Sequence, residues 1–240
     1  MNIVLTLAFL FFIGSISGWF IELFFRRFTN PEKKWINPGF CTGPYLPIYG
    51  FGLIGLYLIV SAEQYILISN VILRKIVLFV LIAICMTAIE YVAGILCLKL
   101  AKVRLWDYRN EVGNIQGVIC PKFTVAWTFM GIVYYFTLHS LIQNAVNWLS
   151  NNLTFSFVIG MFYGFLLTDV AQSIQLVGKL KKYAEENGVI VKFETLKSNI
   201  REKYDESKKK YHFFLPFRSD QPLTEHLKEI HKSFEKRKRK

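Results

Sequence analysis

The chain has 240 residues, of which 53% are hydrophobic, and its formal net charge is +12. A mean hydropathy of +0.33 is too apolar for the surface of an ordinary soluble domain. This excludes a simple globular protein and indicates a protein that lies in lipid.

Five apolar segments follow one another along the chain, and we interpret each one as a membrane span. Four of them approach or exceed the roughly 20 residues that cross about 30 Å of hydrocarbon. The second has only about 15 residues at about 1.5 Å each, so it crosses only if the irregular stretch before it lies at membrane depth or the bilayer thins. A re-entrant loop over residues 46–73 is the alternative. The five segments are residues 3–25, 46–60, 76–98, 123–146 and 154–177.

Lys and Arg residues concentrate in alternate loops. Four follow the first span, five the third and eighteen the fifth, whereas only Arg74 and Lys75 fall in the other loops. By the positive-inside rule, this pattern predicts five spans with the N-terminus outside and the C-terminus in the cytosol. The first segment has no basic stretch before it and is followed by Arg26 and Arg27. We therefore expect it to stay as an anchor rather than to be cleaved as a signal peptide.

The stretch before the second span, INPGFCTGPYLPIYGFG at residues 36–52, contains three prolines and four glycines. Such residues force non-helical backbone. At membrane depth, non-helical backbone is tolerated only where protein or a water-filled cavity satisfies its polar groups. We therefore expect this stretch to line a cavity, with Asn37 and Tyr49 among the candidate site residues.

Two halves of the chain resemble each other. In each half, a span that carries an acid, Glu22 or Glu90, precedes a polar loop with Asn and Gly and then another span. Equal spacing after the loop glycine sets Tyr49 opposite Trp127. The pattern predicts two parallel helix-pair repeats with a fifth span added; chance similarity is the alternative.

Three acidic residues fall within the predicted spans, where an ionised side chain costs roughly 2.5 to 3.5 kcal/mol on insertion scales. Glu22, Glu90 and Asp169 lie at a comparable depth, so they could converge on one polar cavity that faces the cytosol. However, Glu22 has Arg26 four residues later, the spacing of a helical ion pair, and Asp169 lies in a polar patch that could equally join two helices. Glu90 has no base within four residues. It must stay protonated or find a partner elsewhere, such as Arg26, Arg27, Arg104 or Arg109.

The loop RLWDYRNEVGNIQGVICP, at residues 104–121, crowds polar and aromatic groups into one short stretch. Trp and Tyr beside Arg are typical of an anchor at the membrane interface. The alternative is a binding site, because the repeat sets this loop opposite the first turn-rich loop. The candidate site residues here are Trp106, Asp107, Tyr108, Arg109 and Asn114.

The sequence offers no catalytic or metal-binding pattern. It contains no Ser-His-Asp or Cys-His arrangement that can be argued, and no phosphate loop of the form GxxxxGK[ST]. The four cysteines lack paired metal spacing, so we expect reduced thiols, no metal and no cofactor.

From residue 179 the composition changes to eighteen basic and ten acidic residues. Residues 1–178 are thus predicted to form the transmembrane domain and residues 179–240 a basic cytosolic tail with two amphipathic helices. Because a tail tethered to the inner leaflet meets anionic lipid first, we expect it to bind lipid and not nucleic acid.

Several spaced motifs resemble a family of bacterial membrane proteins, the putative ABC-transporter type IV or CmpB-like family. The resemblance covers roughly residues 10–175 and rests on GWFIELFFRR, NPGFCTGPYLPIYGFG, AIEYVAG, WDYRNEVGNIQGVIC and FTVAW. It implies a small polytopic permease component in the bacterial cytoplasmic membrane, with no established substrate. The motif positions present here are Trp19, Glu22, Arg26, Asn37, Gly39, Gly43, Pro44, Pro47, Tyr49, Gly50, Glu90, Gly94, Trp106, Asp107, Tyr108, Asn114, Gly117 and Cys120.

The predicted fold class is therefore all-α, a polytopic membrane protein, and three functions are open. The first is a transport or transport-accessory protein with a cavity lined by Glu22, Glu90 and the two turn-rich loops, with Arg26 or Arg109 as counter-charge, for a small polar or charged substrate. The second is an enzyme acting on lipid headgroups, with Asp107 or Glu90 as general base. The third is a scaffold that recruits a cytosolic partner through its tail. Five spans are few for a transporter, so a homodimer or a separate energising subunit is expected.

Overall fold

A computed structural model describes residues 2–29, 35, 37–39, 41–186, 190–192 and 196. This part of the chain is mostly helical, as expected for an all-α membrane protein. Within it the α-helices are α1 (Ile3–Thr29), α2 (Pro47–Ser61), α3 (Val71–Ala101), α4 (Pro121–Val133), α5 (His139–Asn151) and α6 (Ser156–Glu186). Single 3₁₀ turns lie at Glu63–Tyr65 and Leu153–Phe155.

Four of the described helical stretches are long and apolar enough to cross a membrane: Ile3–Phe28, Val71–Lys99, Pro121–Asn151 and Leu153–Ser173. The third is continuous because a π-helical segment, Tyr134–Leu138, joins α4 to α5. The second predicted span corresponds to α2, which is apolar but only 15 residues long. Four of the five predicted spans are therefore long apolar helices, and α2 is the candidate for a fifth crossing.

Local sequence explains where three of these helices begin. Pro47 and Pro121 occupy the first turns of α2 and α4, where a missing backbone N–H costs nothing and the fixed φ suits a helix. The start of α3 is capped by Asn70, whose Oδ1 accepts hydrogen bonds from the backbone N–H groups of Ile72 at 2.9 Å and Leu73 at 3.1 Å. This is the usual role of Asn at a helix N-cap.

The chain divides into two compact units. The first unit consists of Met1–Phe20, Tyr45–Ala93 and Asp107–Leu167, and the second of Ile21–Pro44, Gly94–Trp106 and Thr168–Lys240. The first unit contains all of α2, α4 and α5. The second contains the loop before α2 and two short parallel strands, β1 (Val103–Arg104) and β2 (Val191–Lys192), with Val103 opposite Val191.

The core of the first unit consists of two clusters of buried apolar side chains. One cluster joins α1, α5 and α6 through Phe9, Leu10, Val146, Leu149 and Ile159. The other joins α2, α3 and the π-helical segment through Val60, Leu78, Ile82, Met86 and Tyr134. Because lipid tails are as apolar as these side chains, close van der Waals packing is what stabilises such clusters in a membrane.

Glycines bring α1 and α2 into close contact. A Cβ at Gly18 would overlap the Tyr49 side chain, and one at Gly50 would overlap Ser15 Oγ. A Cβ at Gly14 would lie 2.8 Å from the backbone oxygen of Tyr49. Small residues at a helix interface allow this approach of backbones. Gly50, in the turn-rich stretch, is therefore needed for packing against α1.

The predicted basic tail lies largely outside the described residues. Helix α6 continues past residue 178 to Glu186, and beyond it only residues 190–192 and 196 are described. The two predicted amphipathic helices fall almost entirely on the remaining residues, so they stay a prediction.

Candidate functional site

Glu90 is the most deeply buried acidic side chain among the described residues, at 3% exposed. Its Oε1 accepts a hydrogen bond from the Tyr108 hydroxyl at 2.9 Å, and its Oε2 accepts one from Trp127 Nε1 at 3.1 Å. Both donors are neutral. In the part of the chain that the structure describes, no basic side chain forms an ion pair with Glu90. We call Glu90, Tyr108 and Trp127 the Glu90 site.

Three elements of the first unit place these side chains. Glu90 lies on α3, Trp127 lies on α4, and Tyr108 lies in the loop that joins the two helices. The Tyr108 ring stacks on Phe123 of α4, with centroids 4.2 Å apart and planes 13° apart. The backbone N–H of Tyr108 donates to the Gly117 carbonyl at 2.9 Å. The hydroxyl that reaches Glu90 is therefore positioned from both the ring and the backbone.

Tyr49 completes the aromatic surroundings of this site. Its ring meets the Trp127 ring edge to face, with centroids 5.7 Å apart. Below them, Thr87 and Thr124 share a hydrogen bond of 3.1 Å that joins α3 to α4 one turn from Glu90. The carboxyl of Glu90 is thus bordered by aromatic side chains that reach it through the polar groups at their ring edges.

Asn114 braces the loop that carries Tyr108. Its Oδ1 accepts from the backbone N–H of Gly117 at 3.0 Å, and its Nδ2 donates to the carbonyls of Glu111 at 2.9 Å and Arg109 at 3.2 Å. Gly117 has φ of 68°, the left-handed region that favours glycine. Asn114 thus acts on the loop backbone, and its amide is directed at the loop itself.

Arg109, one predicted counter-charge, is paired within its own loop. Its Nε and Nη2 donate to the two carboxylate oxygens of Asp107, at 2.9 and 2.8 Å. These hydrogen bonds, and then the charge of Asp107, raise the pKa of the Arg109 guanidinium above its ordinary value. The Arg109 side chain is 54% exposed, so this bidentate pair is an external feature of the loop.

In the second unit, Asp169 of α6 holds the turn-rich loop. The carboxylate is 7% exposed. Its Oδ1 accepts from the backbone N–H of Thr42 at 3.1 Å and from the Thr42 hydroxyl at 2.8 Å, and its Oδ2 accepts from the backbone N–H of Gly43 at 2.9 Å. The polar patch around Asp169 therefore joins a helix to a loop. We call Asp169, Thr42 and Gly43 the Asp169 anchor.

Asn37 braces that loop in the way Asn114 braces the other. Its Oδ1 accepts from the backbone N–H of Gly39 at 3.1 Å, and its Nδ2 donates to the carbonyls of Thr42 at 3.0 Å and Cys41 at 3.3 Å. The side chain is fully buried. Both turn-rich loops thus use an Asn amide to satisfy backbone groups that no helix satisfies.

The remaining predicted site residues lie in the second unit. Glu22 and Arg26 form the helical ion pair expected from their spacing, with Arg26 Nε 2.7 Å from Glu22 Oε1. Trp106 is half-buried. A cavity shared by Glu22 and Glu90 stays a prediction. Within the described ranges there is no group of three or more His, Cys, Asp or Glu residues that could hold a metal ion.

Trp127, which donates a hydrogen bond to Glu90, is not among the site residues predicted from the sequence. One signal for it was available, since the repeat sets Trp127 opposite Tyr49, and the two rings touch. Thr42 and Gly43 carried no comparable signal, because they lie 127 and 126 residues from Asp169 in the sequence.

Comparison with known proteins gives one match. The model of a family described as putative ABC-transporter type IV matches residues 9–174, which confirms the resemblance read from the motifs. No curated protein and no solved structure matches the chain.

Proposed function

Because this chain belongs to the putative ABC-transporter type IV family, we propose that it is a permease-like transport or transport-accessory protein that binds a proton or a small cation at Glu90. The family and the four long apolar helices make it a membrane protein related to transport. The role of Glu90 goes beyond the family and is argued from the site.

The proposal rests on one observation: the buried carboxyl of Glu90, in an apolar helix, accepts hydrogen bonds only from neutral donors among the described residues. An intramembrane acid normally pairs with a base or lies on a substrate or proton path, because its ionised form is costly in lipid. Each oxygen of Glu90 accepts one hydrogen bond and keeps a further lone pair. The site therefore retains the capacity to take up one positive charge, as a proton or as a small cation.

The membrane arrangement is part of the same proposal. With α2 as the fifth crossing, the charge pattern puts the N-terminus outside the bacterial cytoplasmic membrane and the C-terminus in the cytosol. Two parallel repeats are supported by the matched roles of Asn37 and Asn114 and by the contact between Tyr49 and Trp127. The small number of spans favours a homodimer or a separate energising subunit. The basic tail is proposed to lie on anionic lipid of the inner leaflet.

The test is transport in liposomes of purified protein, with two probes. Proton movement is followed with a pH-sensitive dye inside the vesicles, and cation binding is measured by calorimetry with tetramethylammonium. We expect Glu90→Gln to abolish the wild-type signal, because a neutral amide carries no charge to exchange. The matched control is Glu111→Gln, in the exposed loop, where Glu111 pairs with Lys122. The proposal fails if correctly folded Glu90→Gln protein gives the same flux and binding as Glu111→Gln.

A further inference from the structure

A second cluster of charged and aromatic side chains lies at the Val71 end of α3. Glu63 Oε2 accepts a hydrogen bond from the Tyr135 hydroxyl at 2.8 Å, and Glu63 Oε1 lies 3.4 Å from Arg74 Nε. Arg74 Nε is itself buried and makes no hydrogen bond, although the Arg74 side chain as a whole is 34% exposed. Because the buried Nε faces Glu63, a further ligand would meet the terminal amino groups of the guanidinium, which make no hydrogen bond within the described residues.

Lys75 adds a second positive charge next to Arg74. Its Nζ lies 5.6 Å from the centroid of the Tyr135 ring and 5.2 Å from that of Phe136. Among the described residues no acid forms an ion pair with Lys75. Tyr135 and Phe136 belong to the π-helical segment, a distortion that frequently occurs at functional sites.

The charge balance of this cluster is positive. Within the described part of the chain, Arg74 and Lys75 are opposed only by Glu63, and all three lie close to the first turns of α3. The start of an α-helix carries roughly half a positive charge, so basic side chains there add to an unfavourable field. Asn70 already accepts from the first backbone N–H groups of α3, so an anion would relieve the surplus side-chain charge.

We propose that Arg74 and Lys75 bind the phosphate group of an anionic ligand. A guanidinium fork beside a lysine point charge is a combination suited to phosphate oxygens. The site lies 16 residues from Glu90 along α3, or about 24 Å, and it does not depend on the function proposed for Glu90. The phosphate can belong to a phospholipid headgroup or be free, and exposed apolar neighbours such as Ile72 and Leu67 favour the lipid.

The experiment measures binding to the full chain in detergent. Phosphatidylglycerol, phosphatidylcholine and inorganic phosphate are each titrated, and bound molecules are counted by native mass spectrometry. We expect wild type to bind phosphatidylglycerol and the double variant Arg74→Gln with Lys75→Gln to bind it about tenfold more weakly. The matched control is Lys122→Gln, which removes a basic residue already paired with Glu111 and should leave binding unchanged.

The three titrations distinguish a lipid headgroup from free phosphate and test the proposal. Competition by millimolar inorganic phosphate indicates a site for free phosphate, whereas binding of phosphatidylglycerol that phosphate does not displace indicates a lipid headgroup. Equal binding in the double variant and in Lys122→Gln overturns the proposal, as does wild type that binds none of the probes. If the double variant does not fold, binding of phosphatidylglycerol to wild type is measured at increasing sodium chloride concentration. Binding at a charge-based site must weaken as salt is raised, so unchanged binding overturns the proposal.

Discussion

The Glu90 site and the Asp169 anchor are both built on a buried acid in an apolar helix, yet they use different donors. Asp169 accepts two backbone N–H groups and one hydroxyl, all from consecutive residues of one loop. Glu90 accepts a tyrosine hydroxyl and an indole N–H, from two different elements. The same type of side chain therefore lies in two different chemical settings.

The donors decide what each acid can do. The backbone N–H groups of Thr42 and Gly43 can only donate, so they bind Asp169 solely through lone pairs of its carboxyl oxygens. A tyrosine hydroxyl can donate or accept, so Glu90 can take up a proton and still keep a hydrogen bond to Tyr108. This difference suits Asp169 to holding the loop, and it supports the proposal that Glu90 takes up a proton.

The largest expected effect on stability is that of Asp169→Asn, which replaces the acid by its amide. In Asp169→Asn, the amide NH₂ group faces backbone N–H donors and cannot accept from them. At least one buried donor is then left unsatisfied, which costs about 1 to 3 kcal/mol of folding free energy for each lost partner. We expect a loss of about 3 kcal/mol in the free energy of unfolding. The measurement is denaturant or thermal unfolding in detergent.

Glu90→Gln is the matched comparison for that measurement. The amide oxygen can still accept from one donor, and the tyrosine hydroxyl can reorient, so we expect a loss of only about 1 kcal/mol. Equal losses for the two variants would break the distinction between the sites, and a larger loss for Glu90→Gln would reverse it.

Tyr108→Phe is expected to have a smaller effect than Asp169→Asn. The phenylalanine ring keeps the stack on Phe123, and only the hydroxyl that reaches Glu90 is removed, which should lower the free energy of unfolding by about 1 to 2 kcal/mol. It should also alter the pH dependence of the carboxyl infrared band, because the reversible partner of Glu90 is gone. Tyr65→Phe, at an exposed tyrosine, is the control and should change neither. An unaltered carboxyl titration in Tyr108→Phe would show that the hydroxyl has no part in the charge change.

Much of the helical layout could be predicted from hydropathy. Length and apolarity locate α1, α3 and α6 because each must satisfy its backbone internally while crossing lipid. The rarity of acids in such helices singles out Glu22, Glu90 and Asp169 from the sequence alone. These inferences need only the segment itself.

The partners of those acids could not be predicted in the same way. A helix that is apolar all round gives no signal for the face that packs, so the sequence does not indicate that Trp127 turns towards Glu90. The bonds to Asp169 come from a loop more than a hundred residues away, and no local pattern encodes that distance. The π-helical segment is equally hidden, since Tyr134–Leu138 continues the apolar composition of α4.

The smallest effect concerns Cys41, which lies beside the Asp169 anchor. Burial, and then the charge of Asp169, raises the pKa of the Cys41 thiol from 9.0 to about 12. Because the folded state holds this proton more tightly than the unfolded chain, the associated stability is fully present below pH 9, falls as the pH rises from 9.0, and is lost by about 12.

Reaction with 2,2′-dithiodipyridine, which stays selective for thiols at alkaline pH, tests this in a variant that keeps Cys41 as its single cysteine. The thiolate is the reactive form, so the rate should keep rising between pH 9 and 11 while the anchor is intact. Adding Asp169→Asn removes the neighbouring charge and releases the loop, so the rate should be higher at pH 8 and level off near pH 9 to 10. Adding Glu90→Gln instead should leave the profile unchanged. If both additions shift the pH profile equally, the reactivity of Cys41 does not depend on the Asp169 anchor, and the prediction is contradicted.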